Sequence, residues 1–281
     1  MTGADGNKVF IELADFERRM LVLGLNEYFG LAQQGPELLP PVVGQSTADG
    51  FLAYQMHLLE AIKMAEPLTD LDWARALFLT EASFGSELVG AGFEWDIGQS
   101  GDRTNIPALR SIQNKIGTAE RSRLLQENVA YPAPRERGTG TRRRLHSNGG
   151  PIELDDDERT FMCTAIGAYV RSPRHGFRVL APLVGQTTFE AWATYVTELQ
   201  RALTAKEDLV DLDWMRALFL AEIGFTSVLV GFGPQLEGDD RHYINTLRGL
   251  QFSIGSPERY LLFRDSTTWG YIERRGVERE H

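Results

Sequence analysis

Apolar residues recur at helical spacing along most of the chain, and no segment shows the alternating pattern of a β-strand. The pattern predicts four helices in each half of the chain. The first four span Leu13–Leu31, Ala48–Ala65, Leu71–Val89 and Asn105–Ile116, and the second four span Asp156–Arg171, Thr188–Ala205, Leu212–Val230 and Tyr243–Ile254. The predicted fold class is therefore all-α.

Polar residues and glycines beside these segments predict where several of the helices begin and end. The candidate N-caps are Ser46 or Thr47, Asp70, Thr187 and Asp211. Gly90 and Gly231 are expected to close the third helix of each half with a left-handed residue. Their Gly-x-Gly pattern does not predict a phosphate loop, because it follows a helix rather than a strand.

The two halves repeat one another in sequence. Segments 70–92 and 211–233 are identical at 16 of 23 positions, far more than chance allows. This predicts a tandem duplication of a roughly four-helix unit, with the copies packed about a pseudo-two-fold axis like the chains of a symmetric dimer. The expected divisions are a first unit (1–131), a basic flexible linker (132–150), a second unit (151–265) and a charged tail (266–281).

Composition excludes several classes of protein. The net charge is −10, and the one dense basic cluster, which includes Arg142, Arg143 and Arg144, falls in the linker. An acidic body argues against a broad nucleic-acid-binding face, although these arginines could contact nucleic acid. Cys163 is the only cysteine, so a disulfide within the chain is excluded. We expect a cytoplasmic protein with no membrane partner, because neither a signal peptide nor an apolar span is visible.

A bacterial source is expected from the excess of arginine over lysine, 25 against 4, which is typical of GC-rich genomes. This bias bears on origin and not on function.

One carboxylate in each half falls where an apolar residue is expected. Glu81 and Glu222 lie in the middle of the apolar face of the third predicted helix. A buried carboxylate needs a partner, so we expect hydrogen bonds from polar residues of the same half. The candidate partners are Arg110, Gln113 and Gln45 in the first half, and Arg248, Gln251 and Gln186 in the second half. The set forms either a structural polar network or a ligand pocket.

Four further residues are interface candidates because they recur at aligned positions of the third helix: Trp73, Trp214, Arg75 and Arg216. Packing in the core is the alternative for the tryptophans. His57 and Glu60 have a spacing found in di-metal bundles, but the second half has Glu198 and Arg201 there, so no metal site is predicted. No cofactor motif is present either.

These features favour a binding or regulatory protein that acts through protein–protein contacts, with a partner that is itself basic. The first alternative is an enzyme or small-molecule-binding protein with a pocket around Glu81 and Glu222, although no catalytic motif supports catalysis. The second is a nucleic-acid-associated protein that uses the arginine-rich linker, whose salt-sensitive binding would be abolished by deletion of residues 135–144.

Overall fold

A computed structural model describes residues 7–32, 34–95, 101–130, 152–236 and 238–268. Twelve α-helices account for most of these described residues, which confirms the all-α class. The predicted linker, with Arg142, Arg143 and Arg144, lies outside them, as does the tail beyond residue 268. No helix in the described ranges is long and apolar enough to cross a membrane.

The first segment, residues 7–130, contains six of the described helices. They are α1 (Asp15–Asn26), α2 (Gly35–Leu38), α3 (Ala48–Lys63), α4 (Asp70–Gly85), α5 (Asp102–Ile116) and α6 (Ala119–Glu127). Short 3₁₀ helices cover Glu27–Phe29 and Pro40–Val43. A two-residue strand at Lys8–Val9 (β1) pairs antiparallel with Leu68–Thr69 (β2), a feature that the sequence pattern did not predict.

The second segment, residues 152–268, contains the other six. They are α7 (Asp156–Arg171), α8 (Phe177–Leu183), α9 (Phe189–Thr204), α10 (Asp211–Thr226), α11 (Asp240–Ile254) and α12 (Pro257–Ser266), with a 3₁₀ turn at Gly233–Gln235. The predicted four helices per unit are therefore too few. α6 and α12 were missed because each buries an arginine, Arg121 or Arg259, where helical periodicity looks for an apolar residue.

The third predicted helix ends earlier than its glycines suggested. α4 stops at Gly85 and α10 at Thr226, and the next residues, Ser86 and Ser227, have extended backbone. Neither Gly90 nor Gly231 has a left-handed conformation, so the predicted role of both as C-terminal caps is wrong. A Cβ at Gly90 would overlap the Ala82 carbonyl oxygen, so the glycine is needed for close packing against α4.

Several predicted helix starts also shift. Thr69 rather than Asp70 caps α4, and Val210 precedes α10 without a side-chain cap. Asp70 instead accepts a 2.7 Å hydrogen bond from Nη2 of Arg121, and Asp211 pairs with Arg259 at 2.7 Å. The aspartates that looked like caps thus anchor α6 and α12, two of the four helices that the sequence pattern missed.

The cap of the second predicted helix is correct in one half and wrong in the other. Thr47 caps α3, as predicted, whereas Thr188 rather than Thr187 caps α9. The first predicted helix extends to Leu31 in the sequence pattern, but α1 ends at Asn26 and a 3₁₀ turn follows it.

Helices α4 and α10 form the centre of the molecule. Every residue from Ala76 to Gly85 and from Ala217 to Thr226 is buried. α4 packs against α1, α6 and α10, while α10 also packs against α7 and α12. A helix that is enclosed on all sides must satisfy its polar side chains inside the protein, and this condition governs Glu81 and Glu222.

Candidate functional site

Glu81 lies on α4 with no exposed surface and accepts three hydrogen bonds. Gln113 of α5 donates its Nε2–H to Oε1 at 2.7 Å, as the sequence predicts. The other two donors belong to the second segment: the Ser227 hydroxyl at 2.6 Å from Oε2 and the Val228 amide at 2.8 Å from Oε1. The carboxylate therefore joins the two segments.

Glu222 makes the same contacts in the opposite direction. Gln251 of α11 donates to its Oε1 at 2.8 Å. The Ser86 hydroxyl lies 2.6 Å from Oε2, and the Glu87 amide lies 2.8 Å from Oε1. Each carboxylate thus accepts one hydrogen bond from its own segment and two from the other.

The early end of α4 and of α10 frees, in each segment, one serine hydroxyl and one backbone amide that donate to the carboxylate of the other segment. Because Ser86 leaves the helix with extended backbone, the next amide, that of Glu87, is released from the helical ladder and points at Glu222. The Ser86 hydroxyl also accepts hydrogen bonds from the amides of Leu88 and Val89 at 3.2 and 3.3 Å. Its single proton therefore goes to the carboxylate.

Arg110 supports the hydrogen bond between Gln113 and Glu81 but does not itself donate to the carboxylate. Its Nη1 donates to Oε1 of Gln113 at 2.9 Å, which orients the amide so that its Nε2 faces Glu81. The same guanidinium pairs with Asp240 in a bidentate arrangement at 2.7 and 3.0 Å, and it lies 5.0 Å from the centre of the Phe225 ring. It therefore ties α5 to α10 and α11.

Arg248 repeats this arrangement on the other side. It donates to Oε1 of Gln251 at 3.0 Å and to the Phe84 carbonyl at 3.1 Å. Its ion pair with Asp102 spans 3.2 Å, and both side chains are largely buried. We call these residues the seam network: Glu81, Ser86, Asp102, Arg110, Gln113, Glu222, Ser227, Asp240, Arg248 and Gln251.

Burial dominates the electrostatics of the two carboxyl groups. It raises the pKa of Glu81 to about 7, although the hydrogen bonds from Ser227, Val228 and Gln113 act in the opposite direction. It raises the pKa of Glu222 to about 7 as well, against the hydrogen bonds from Ser86, Glu87 and Gln251. Both groups thus titrate near neutral pH in the folded protein.

The remaining predicted partners lie elsewhere. Neither Gln45 nor Gln186 contacts a seam carboxylate: the Gln45 Oε1 lies at the start of α3, beside Gly50, and Gln186 donates to the Val184 carbonyl at 3.5 Å. Sequence reasoning could not separate them from Gln113 and Gln251, because all four are aligned polar residues.

The interface candidates on the third helix pack within their own segments. Trp73 is buried and donates to the Val9 carbonyl at 2.9 Å, and Trp214 is buried as well. The guanidinium of Arg75 lies 5.3 Å from the centre of the Tyr54 ring, and that of Arg216 lies 5.5 Å from Tyr195. The two tryptophans thus lie in the interior of their segments, and the two arginines are partly buried beside them.

Sequence reasoning missed the two serines and the two aspartates of the seam network. Ser86 and Ser227 are aligned and identical, and Asp102 and Asp240 precede the fourth predicted helix at aligned positions. That signal was available. It could not identify the partners, because the contacts of these residues with the seam carboxylates and arginines cross to the other segment.

A groove opens on the surface beside Glu87, with a volume of about 540 Å³. Three apolar side chains at this groove remain accessible to solvent, with exposed fractions of 83% for Phe252, 40% for Phe93 and 37% for Leu261. Glu87 lies at its wall and Glu94 lines the adjoining cavity, which shares Gln34 and Glu87. We call this region the Phe252 groove.

No group of three or more metal-ligating side chains occurs among the residues that the structure describes. Neither protein-family models, nor curated proteins, nor solved structures match this chain.

Proposed function

We propose that this protein is a duplicated helical scaffold that binds another protein at the Phe252 groove. The accessible phenyl ring of Phe252, 83% exposed beside a concave surface, is the observation that carries the proposal. Clustered apolar residues at a groove are typical of protein-interaction surfaces, whereas single exposed apolar residues are ordinary.

Duplication and pseudo-two-fold packing are part of this proposal. They are supported by the 16 identities in 23 aligned positions and by the reciprocal hydrogen bonds of Glu81 and Glu222. In a two-fold arrangement, a contact from the first unit to the second implies the converse contact. The seam network has this property at every one of its hydrogen-bonded pairs.

The seam carboxylates have a structural role in this proposal. Neither side chain has exposed surface, and each accepts three hydrogen bonds from groups of the protein. A substrate could not reach either carboxylate without a rearrangement of the groups packed around it. The pocket alternative, with a catalytic Glu81 or Glu222, therefore has less support than a polar clasp between units.

The first unit does not have the apolar side chains of the Phe252 groove at the aligned positions. At the positions aligned with Phe252, Tyr260 and Leu261, the first unit carries Asn114, Ser122 and Arg123. These replacements are polar, and Ser122 donates to the Leu229 carbonyl at 2.5 Å. The cavity that Ser122 and Arg123 line, of about 550 Å³, also contains Phe177 and Phe189, but three arginines, Arg123, Arg174 and Arg178, lie at its wall, so the two faces differ in charge and in the position of their apolar side chains.

The charge at the groove supports a basic partner. Glu87 is partly buried at the groove, and the charge of Glu94 adds to burial in raising its pKa. Burial and, to a smaller extent, the charge of Glu94 also raise the pKa of Glu27, so three carboxyl groups lie close together at this edge of the groove. A cationic partner would relieve their repulsion, and the net charge of −10 would speed its approach. The occupant we propose is an amphipathic helix with apolar and basic faces.

The test uses a fluorescein-labelled 18-residue peptide with leucine on one helical face and arginine on the other, titrated with the full chain and followed by anisotropy. We expect Phe252→Ser to weaken binding about tenfold or more, as the loss of an aromatic anchor does. Asn114→Ser is the matched control at the aligned position of the other face, and it should bind like the wild type.

Two results would overturn the proposal. The first is equal affinity of wild type and Phe252→Ser for the peptide. The second is equal affinity for an analogue in which glutamate replaces every arginine. Sedimentation velocity of the chain alone tests whether the groove binds a second copy of this chain instead. A dimer that Phe252→Ser dissociates would show that it does.

A further inference from the structure

A second cavity, of about 810 Å³, lies between α7, α9 and the turn at Gly233–Gln235. Its lining differs in character from the rest of this acidic protein. Arg159 and Arg171 contribute to the wall, and among the described residues that line it none is acidic. Hydroxyl and amide side chains supply most of the remaining polar surface, and Phe232 and Leu236 form an apolar part.

Two arginines of this cavity have hydrogen-bonding capacity that no described residue uses. The Nε of Arg159 is buried and has no hydrogen-bond partner among the described residues, although its Nη1 donates to the Leu203 carbonyl at 3.0 Å. Arg171 makes no ion pair within the described part of the chain. Arginine side chains commonly pair with carboxylates, so a guanidinium that has none in an acidic protein can accept an anionic ligand.

Gly167 on α7 brings two of these donors together. A Cβ at this position would overlap Nε2 of Gln200 and lie 3.5 Å from Nη1 of Arg171. The amide and the guanidinium therefore converge over the bare backbone of the helix. Donors that converge in this way suit an anionic oxygen, because a carboxylate or phosphate accepts several N–H groups at once.

The aligned positions of the first unit have lost these properties. Arg171, Gln200 and Thr204 correspond to Gly30, Leu59 and Lys63, and Leu59 is buried. Ala168 corresponds to Glu27, which would repel an anion. Arg159 is retained as Arg18, which donates to the Ile62 carbonyl at 2.7 Å in the same way, so the pairing of Arg171 with Gln200 is the part of the donor set that is confined to the second unit.

We infer that the α7–α9 cavity binds a small organic oxyanion, a carboxylate or a phosphate ester, whose charged end lies at Arg171, Gln200 and Arg159. The apolar body of the ligand packs against Phe232 and Leu236, which suits an aromatic acid or an aryl phosphate. This site is separate from the Phe252 groove, and the two lining sets share no residue.

The reactivity of Cys163 can report whether this cavity is occupied. Cys163 lines the cavity, is partly buried, and lies with its Sγ 3.7 Å from the Thr204 hydroxyl. Because it is the only cysteine in the sequence, alkylation by iodoacetamide reports this position alone. A ligand that fills the cavity should slow this reaction in proportion to its occupancy.

The experiment measures the alkylation rate of the full chain by mass spectrometry while phenyl phosphate, benzoate or neutral benzyl alcohol is titrated to 10 mM. We expect at least one of the two anions to slow alkylation, by about tenfold at ten times its dissociation constant. Protection by only one anion identifies whether phosphate or carboxylate is preferred. No protection by either anion, or equal protection by benzyl alcohol, would overturn the inference.

Variants locate the effect. Arg171→Gln removes an exposed charge, so the chain should remain folded, and it should raise the dissociation constant of the protecting anion about ten- to hundredfold. Arg241→Gln, which removes an exposed arginine on α11, is the matched control and should leave it unchanged. Gly167→Ala should also weaken protection, because its methyl group displaces the Gln200 amide. Unchanged protection in Arg171→Gln would contradict the inference.

Discussion

The seam network and the outer faces of the two units differ in how alike their residues are. At the seam, Glu81 and Glu222 have the same kinds of donor, at distances that agree within 0.1 Å. On the outer faces, Phe252 corresponds to Asn114 and Arg171 to Gly30. A residue at the seam serves both units at once, so a change there disturbs two sets of contacts. A residue on an outer face serves one unit and is free to acquire a separate role.

Replacement of a seam carboxylate should have the largest effect. Glu81→Ala leaves the Val228 amide and one Gln113 donor bond without an acceptor and opens a cavity, so we expect a loss of about 3–5 kcal/mol in the free energy of unfolding. Glu222→Ala should cost nearly the same, because its contacts are equivalent. Urea denaturation measures both, and Glu198→Ala, on the exposed face of α9, is the control.

A cost of less than 1 kcal/mol for either variant would mean that water replaces the carboxylate without loss. Widely unequal costs would contradict the equivalence of the two seam sites.

The second prediction concerns pH. The pKa of Glu81 is about 7 in the folded protein and near 4.5 in the unfolded chain. The folded carboxyl group therefore keeps its proton to higher pH. Its contribution is fully present below pH 4.5, declines as the pH rises and is lost above about 7, by on the order of 3 kcal/mol. Glu222 follows the same course.

Glu81→Gln tests this prediction, because an amide cannot ionise and can still accept from Val228 and Gln113. Between pH 5 and pH 8, the free energy of unfolding of the variant should fall by less than that of the wild type. The difference between the two proteins is the relevant quantity, since burial lowers the pKa of His175 and so acts with the opposite sign. Parallel pH profiles would show that Glu81 is ionised throughout.

The sequence predicted the class of the fold and at least one residue of each contact in the seam network. Apolar periodicity located α4 and α10 because their buried faces are apolar, and Glu81 and Glu222 stood out against that pattern. Gln113 could be predicted because it lies on an amphipathic helix of the same segment. Ser227 could not, because its pairing with Glu81 depends on how two segments meet.

The two proposed binding surfaces were harder to predict for a related reason. Phe252 follows Gln251 in an ordinary helical sequence, and only the structure shows that its ring is exposed. Arg171 ends α7, where a basic residue is expected from the helix dipole alone. Neither residue departs from a local pattern, so their exposure and neighbours had to come from the tertiary structure.

The smallest expected effect comes from a position beside the seam network at which the two units differ. Gly85 faces Thr226, and a Cβ at Gly85 would overlap the threonine side chain. Gly85→Ala should therefore cost about 1–3 kcal/mol through overpacking. In Thr226→Ala the threonine methyl and hydroxyl are gone, so adding Gly85→Ala should cost less there, with a coupling energy of about 0.5–2 kcal/mol. A double-mutant cycle in urea measures this coupling. Strict additivity would mean that α4 and α10 move apart to admit the methyl group, and the seam would then be less rigid than its hydrogen bonds imply.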